Sequence, residues 1–262
     1  MRIGFFDSGI GGLTVLKDTL NYLPRAKYLY YADTLNVPYG TKTRSQVRNY
    51  IFRAADFIFQ KNIDALLIAC NTATSIAIKD LREKYDIPII GMEPAVKPAL
   101  ERCGNKRVLV TATPLTLEED KYENLVSRLN ADDKVDSLAL PELVEFAESF
   151  EFDERTIKNY FFDKLSSFNL DLYGTIVLGC THFIYYKKIL SKILPSHIDI
   201  IDGNLGTVKH LLRVLKLTRN KYTKESHNNE RFDISYYVSG KARKLDSISK
   251  YIKYLADAEQ ER

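Results

Sequence analysis

Short apolar runs alternate with helix-like segments along almost the whole chain, and this alternation limits the possible folds more than any other feature. Seven runs have the length and aliphatic character of buried strands: Arg2–Phe6, Tyr28–Ala32, Ala65–Ala69, Pro88–Met92, Arg107–Thr111, Thr175–Gly179 and Asp199–Ile201. Helical patterns lie between them, for example at Thr14–Tyr22, Thr43–Lys61 and Leu117–Leu129. Strands that alternate with helices form mostly parallel sheets, so we predict a doubly wound α/β protein.

The two halves of the chain also resemble each other. RIGFF begins at residue 2 and RVLVT at residue 107, while ALLIACNT and TIVLGCTH each end a strand in a cysteine, Cys70 and Cys180. Both landmarks recur at similar offsets, which indicates a duplicated α/β unit. We therefore expect two pseudo-symmetric domains that face each other, with the two thiols on opposite sides of one cleft. The linker would lie near Lys97–Lys106 and would contain Cys103, which we interpret as incidental.

Polar residues follow the predicted strands, where parallel sheets bind ligands. They are Asp7-Ser8, Asp33, Cys70-Asn71-Thr72, Glu93, Thr111 and Thr113, and Cys180-Thr181-His182. Cys70 precedes a predicted helix, and the first amides of a helix lower the pKa of a thiol. This favours a reactive cysteine, although most free cysteines are small buried hydrophobes.

The three cysteines are odd in number and widely spaced, which suits neither a disulfide framework nor a zinc site. We expect three reduced thiols and no metal. Two opposed thiols can move protons: one as thiolate removes a proton from carbon, and the other returns a proton from the opposite face. Asp7 could orient or deprotonate Cys70, and His182 could serve Cys180. Such a transfer inverts the stereocentre, which predicts racemisation. No lysine has a context typical of pyridoxal phosphate attachment, so we expect this reaction to need no cofactor.

The neighbours of the two thiols predict a small anionic substrate. Hydroxyls, amides and helix N-terminal donors suited to carboxylates come from Ser8, Asn71, Thr72, Thr111, Thr113 and Thr181.

Five motifs in this order resemble the glutamate racemase family over essentially the whole chain. They are FFDSGIGGLTVL at 5–16, YYADTLNVPYGTK at 30–42, ACNTAT at 69–74, PIIGMEPAVKPA at 88–99 and LGCTHF at 178–183. Two departures are visible: Ile184 stands where the family has proline after CTHF, and no cysteine precedes the proline of PEL, Pro141, where the family often has one.

The resemblance implies a first domain of residues 1–97 plus 207–262 and a second of residues 98–206, with the active site between them. It implies that Cys70 takes the α-proton of D-glutamate and Cys180 that of L-glutamate, with Asp7 and His182 as assisting groups. The implied substrate-binding set is Asp7, Ser8, Pro38, Tyr39, Gly40, Asn71, Thr72, Thr111, Thr113, Glu148, Thr181 and His182. It further implies a homodimer that supplies D-glutamate for peptidoglycan.

Three alternatives remain open. GIGGLT at 9–14 follows a strand, with Asp33 about twenty residues further on, as a dinucleotide site requires, but Thr14 stands in place of the third glycine. Aspartate is the rival substrate, although aspartate racemases usually carry glutamate where His182 stands. A catalytically silent amino-acid-binding protein on the same scaffold is the third. Asp33 could equally cap a helix or close a turn.

Charge and hydropathy bear on location and partners. No apolar run reaches the length of a membrane span, and MRIGFFDSG reaches an aspartate too early for a signal peptide, so we expect a cytoplasmic protein without a membrane partner. The net charge is a mild +4. The basic stretches KLTRNKYTK and KARKLDSISKYIK predict solvated helix faces, and without a nucleic-acid motif they give no reason to expect a nucleic-acid partner.

Overall fold

The computed structural model describes residues 1–217 and 232–260, except the side chains of 258–260. It contains two sheets. The first has the order β10-β9-β2-β1-β3-β4, with strands β1 (Arg2–Asp7), β2 (Lys27–Ala32), β3 (Ala65–Ile68), β4 (Ile89–Gly91), β9 (Asp233–Val238) and β10 (Lys241–Arg243). The second has the order β6-β5-β7-β8, with strands β5 (Arg107–Ala112), β6 (Val135–Ala139), β7 (Tyr173–Leu178) and β8 (Asp199–Asp202). Neighbouring strands are parallel except for the β9–β10 hairpin.

Helices connect most of these strands. Their bounds are α1 (Leu13–Leu20), α2 (Arg44–Phe59), α3 (Asn71–Lys84), α4 (Val96–Arg102), α5 (Pro114–Glu118), α6 (Asp120–Arg128), α7 (Glu142–Glu148), α8 (Glu154–Leu165), α9 (Lys187–Ser191), α10 (Asn204–Val214) and α11 (Ser249–Gln260). Short 3-10 helices cover Tyr39–Thr41, Leu170–Leu172, Thr181–Tyr186 and Leu245–Ile248. In the described part of the chain, no helix has the length and apolar character needed to cross a bilayer.

The two sheets share one topology. The order β2-β1-β3-β4 in the first sheet matches β6-β5-β7-β8 in the second, strand for strand. Cys70 comes two residues after the end of β3 and Cys180 two residues after the end of β7, so the cysteines occupy equivalent positions. The predicted α/β class with mostly parallel sheets is confirmed, and the shared strand order agrees with the predicted repeat.

The C-terminal segment adds to the first sheet. Strand β9 pairs with β2 in parallel register from Lys27 opposite Asp233 to Ala32 opposite Val238. Helix α10 packs on α1, and α11 also contacts α1. The domain boundaries at residues 97 and 206 remain a prediction.

Two expectations about local structure were wrong or incomplete. The helix predicted for Leu117–Leu129 is interrupted at Glu119, whose extended backbone (φ −80°, ψ 134°) separates α5 from α6. The carboxylate of Glu119 is buried and paired with Arg44 at 3.2 Å, which favours this break. Strand β6, of sequence VDSLA, lacks a continuous apolar run and escaped the strand pattern.

The two basic stretches had different outcomes. Within KARKLDSISKYIK, Lys241–Arg243 forms the exposed edge strand β10 instead of a helix, and α11 begins only at Ser249. A charged edge strand is typical, because it discourages pairing with another chain. Most of KLTRNKYTK, from Thr218 onward, lies outside the described residues.

Candidate active site

Cys70 lies at the junction of β3 and α3 and caps the helix. Its Sγ accepts a hydrogen bond from the Ala73 N–H at 3.4 Å, and the thiol donates to Ser8 Oγ at 3.8 Å. Burial raises the pKa of the Cys70 thiol to about 12, and the charge of Asp7 adds to this, while the Ala73 N–H lowers it. The expected lowering of this pKa was therefore wrong, because loss of solvent outweighs the helix N-terminus.

Asp7 ends β1 and is fully buried. Its Oδ1 accepts from the Gly9 N–H at 2.9 Å, and its Oδ2 accepts from Thr181 Oγ1 at 3.2 Å. Burial raises the pKa of this carboxyl group from 3.8 to about 6, against the opposing effect of the His182 charge. A carboxyl group with a pKa near 6 can both take up and release a proton close to neutral pH.

Cys180 is paired with a histidine in the second half. Its Sγ lies 3.8 Å from His182 Nδ1, at the start of the 3-10 helix that follows β7. Burial lowers the pKa of His182, but Cys180 and Glu148 together outweigh it and hold the pKa well above 6.5. The imidazole therefore holds a proton more tightly than a free histidine, and its Nδ1 side faces the thiol.

Glu148, at the end of α7, joins this histidine to the first half of the chain. Its Oε1 accepts from His182 Nε2 at 2.7 Å and from the Ile10 N–H at 2.8 Å. The contact with Ile10 lies in the loop between β1 and α1. Glu148 thus fixes the ring of His182 relative to the end of β1, and the geometry gives it a positioning function.

The glycines of the 9–12 loop permit this close approach. A Cβ on Gly9 would stand 1.7 Å from Glu148 Oε1, and a Cβ on Gly11 would stand 2.5 Å from His182 Nδ1. The loop is filled by protein groups where a dinucleotide pyrophosphate would be expected. The glycine pattern that suggested a dinucleotide site is explained by packing against Glu148 and His182.

Asn71 is the first residue of α3 and is buried beside Cys70. Both its side-chain oxygen and nitrogen are buried, and neither has a hydrogen-bond partner. Buried polar atoms in proteins are nearly always paired, so two unpaired atoms on one residue need an explanation. A bound ligand would supply the missing partners.

Three threonine hydroxyls meet between α3 and α5. Thr72, Thr113 and Thr116 form a triangle in which each pair of Oγ1 atoms lies 2.9 Å apart. Thr116 was missed in the sequence, although the T-x-x-T spacing after β5 marks Thr113 as the cap of α5. The hydroxyl of Thr111, by contrast, donates to the Val177 carbonyl at 2.9 Å within the sheet. The substrate contact predicted for Thr111 must therefore compete with this bond.

The loop after β2 carries the other predicted binding residues. Pro38 follows a cis peptide bond, and Tyr39 is buried with its hydroxyl donating to Asp33 Oδ2 at 2.6 Å. A Cβ on Gly40 would stand 2.4 Å from Thr113 Cβ, so this loop closes against the second half. Asp33 also accepts the Asn36 N–H through its main-chain oxygen at 3.0 Å, and therefore closes a turn.

The site as a whole contains two reduced thiols at equivalent strand ends, Cys70 under the electrostatic influence of Asp7 and Cys180 beside His182. The charge of a Cys180 thiolate would also raise the pKa of Cys70, after the larger effects of burial and Asp7. Fold and site together define an isomerase of the two-thiol, proton-transferring class.

The chain belongs to the Asp/Glu/hydantoin racemase family, whose model matches residues 16–211. It is 59% identical to the glutamate racemase of Halothermothrix orenii, over 98% of this chain and 100% of that protein. It is 54% identical to glutamate racemase 2 of Bacillus subtilis, over 96% of this chain and 94% of that protein. The crystal structure of glutamate racemase from Francisella tularensis in complex with D-glutamate superposes with a TM-score of 0.78 at 28% identity, covering 97% of this chain and 93% of that one.

Proposed function

We propose that this protein is a glutamate racemase that interconverts L- and D-glutamate without a cofactor. The observation that carries the proposal is the equivalence of Cys70 and Cys180, which end matching strands in two sheets of the same topology. Inversion at carbon needs one base and one acid on opposite faces, and a duplicated unit supplies them.

In the direction from D-glutamate, Cys70 removes the α-proton. Its thiol is neutral because burial raises its pKa, so it becomes a thiolate only by passing its proton to a base, and Asp7, whose charge acts on Cys70, is the proposed acceptor. The resulting thiolate takes the proton from Cα, leaving a carbanion stabilised by the adjacent carboxylate group of the substrate. Cys180 then gives its proton to the opposite face of the carbanion, and the imidazolium of His182 reprotonates Cys180.

From L-glutamate the same steps run in reverse. Cys180 gives its proton to neutral His182 and, as thiolate, removes the α-proton of the substrate, while Cys70 supplies the proton on the other face. Asp7 in its protonated form restores the Cys70 thiol. Each half of the site therefore acts once as base and once as acid in a full cycle.

Donors around the thiols suit a dicarboxylate substrate. The unpaired amide of Asn71 and four hydroxyls follow the carboxyl ends of parallel strands: Asn71 and Thr72 follow β3, Ser8 follows β1, Thr113 follows β5 and Thr181 follows β7. The relatives named above are glutamate racemases, and the Francisella protein holds D-glutamate. His182 favours glutamate as the substrate, because aspartate racemases usually have a glutamate residue in place of this histidine.

The proposed product defines the cellular role. D-glutamate would be supplied for peptidoglycan, and so for cell-wall synthesis and cell shape, in the cytoplasm. We further propose that the protein acts as a homodimer and has neither a nucleic acid nor a membrane as partner.

The test is incubation of the purified, reduced protein with L-glutamate in deuterated water, following optical rotation and the α-proton signal together. Decay of rotation to zero with deuterium at Cα is the expected result. Cys70→Ser and Cys180→Ser should each reduce turnover by several orders of magnitude, whereas Cys103→Ser, a buried cysteine distant in sequence from the site, should not. Normal turnover in either of the first two variants would rule out the two-thiol mechanism. Exchange with L-aspartate alone would identify the rival substrate.

A further inference from the structure

We infer that Ser239, at the turn of the β9–β10 hairpin, positions the loop of residues 33–41, which carries the predicted substrate-binding residues Pro38, Tyr39 and Gly40. The inference rests on the proposed function, because it concerns how that loop meets glutamate. Ser239 belongs to the C-terminal segment and lies 206 residues from Asp33 and 204 residues from Leu35 in sequence.

The hydroxyl of Ser239 bonds the loop twice. It donates to Asp33 Oδ1 at 3.1 Å and accepts from the Leu35 N–H at 3.1 Å. The Ser239 N–H donates to the Ala32 carbonyl at 2.8 Å, which continues the β2–β9 ladder by one residue. A single residue therefore fixes the first three residues after β2.

Asp33 passes this constraint along the loop. Its carboxylate also accepts from Asn36 Nδ2 at 2.9 and 3.0 Å and from the Tyr39 hydroxyl at 2.6 Å. Tyr39 is buried in the same apolar cluster as Cys70, and Gly40 rests against Thr113 of the other half. The direction of the Asp33 carboxylate thus sets the position of the residues predicted to contact substrate.

The backbone of Ser239 is in the left-handed region, with φ 44°. Glycine adopts this conformation without cost, whereas a residue with a side chain does not. A turn that needed only the backbone shape would be served better by glycine. Serine, unlike glycine, has a hydroxyl that can bond Asp33 and Leu35, which explains its presence in this turn.

This conformation allows a test that separates positioning from stability. Ser239→Gly relieves the backbone and removes the hydroxyl, and Ser239→Ala removes the hydroxyl alone. Both should raise KM for each glutamate enantiomer by about three- to tenfold, the range of one or two lost hydrogen bonds, with kcat changed less than about twofold. Ser247→Ala, which removes a hydroxyl that donates to the Lys244 carbonyl in the same segment, is the matched control.

Hydrogen exchange gives a second measurement that needs no substrate. Amides of residues 33–41 should exchange faster in both Ser239 variants, while those of β1 and β3 should not. Unchanged KM and unchanged exchange, with wild-type racemisation intact, would overturn the inference and leave the proposed function standing. Raised KM in Ser239→Ala that Ser239→Gly restores would also overturn it, since backbone shape would then be the cause. If the wild type does not racemise glutamate, the proposed function fails, and loop exchange alone decides the role of Ser239.

Discussion

His182 Nε2 lies 2.7 Å from Glu148 Oε1, and the same oxygen accepts the Ile10 N–H at 2.8 Å. One carboxylate oxygen therefore joins the acid–base group of the second half to the loop that follows β1. The charge of His182 and its orientation depend on this contact.

Glu148→Gln should lower the pKa of His182, because the amide cannot stabilise the imidazolium as a carboxylate does. Racemisation near pH 8 should fall about tenfold, the usual effect of losing a charged hydrogen bond, and the alkaline limb of the rate profile should move to lower pH. The measurement is kcat/KM from pH 6 to 10. Glu145→Gln, exposed on the same helix, should leave the profile unchanged. An unaltered profile in Glu148→Gln would refute this role.

Asp7→Asn should inactivate the enzyme and yet stabilise the fold at neutral pH. The folded pKa of about 6 exceeds 3.8, so the favourable contribution of Asp7 is complete below pH 3.8 and is lost as pH rises through 6. Removing the charge should therefore add up to about 3 kcal/mol to the unfolding free energy at pH 7.5, and little near pH 4. Urea denaturation at both pH values measures this, with the exposed Asp163→Asn as control. Equal or lower stability at pH 7.5 would contradict the raised pKa.

Gly11→Ala should destabilise the protein and impair turnover. The added methyl would stand 2.4 Å from Thr181 Oγ1 and 2.5 Å from His182 Nδ1, and overpacking of this kind costs about 1–3 kcal/mol. Gly206→Ala is the matched control, because its methyl meets nothing within 4 Å and alanine favours the helix α10. Melting temperature and kcat are the readouts. If Gly11→Ala were as active as Gly206→Ala, the 9–12 loop would be able to move enough to accommodate the methyl group, and this prediction would be wrong.

Asn71→Ala should abolish stabilisation by glutamate without lowering the stability of the free protein. Its two polar side-chain atoms are buried without partners, so their removal relieves a desolvation cost. The melting temperature with and without saturating glutamate is the measurement, and Asn159→Ala, exposed on α8, is the control. A preserved glutamate-dependent shift would mean that Asn71 does not bind the substrate.

The sheets and the equivalence of Cys70 and Cys180 were predictable from sequence, because buried parallel strands leave short aliphatic runs that local patterns can detect. The strand β6 left no such run, since its residues alternate with polar side chains at the edge of the sheet. The break at Glu119 arises from a pairing with Arg44 of α2, which is distant in sequence.

The candidate site was predictable in its residue types but not in its energetics. The position of Cys70 before a helix suggested a low thiol pKa, whereas full burial beside Asp7 produced a high one. Burial is a property of the assembled molecule, so no local pattern encodes it. Ser239 was invisible for the same reason, since its partners Asp33 and Leu35 become neighbours only when the C-terminal segment returns to β2.

The two sheets have the same topology, but the titratable groups near their thiols are unlike: the carboxyl group of Asp7 acts on Cys70 through its charge, and the imidazole of His182 lies beside Cys180. Mirror-image amino acids have equal free energy in water, so the Haldane relation requires kcat/KM to be identical for the two enantiomers. If the unlike groups give one enantiomer a higher kcat, the KM for that enantiomer must therefore be higher by the same factor. A site whose two halves differ chemically must still have the same kcat/KM for both enantiomers of its substrate.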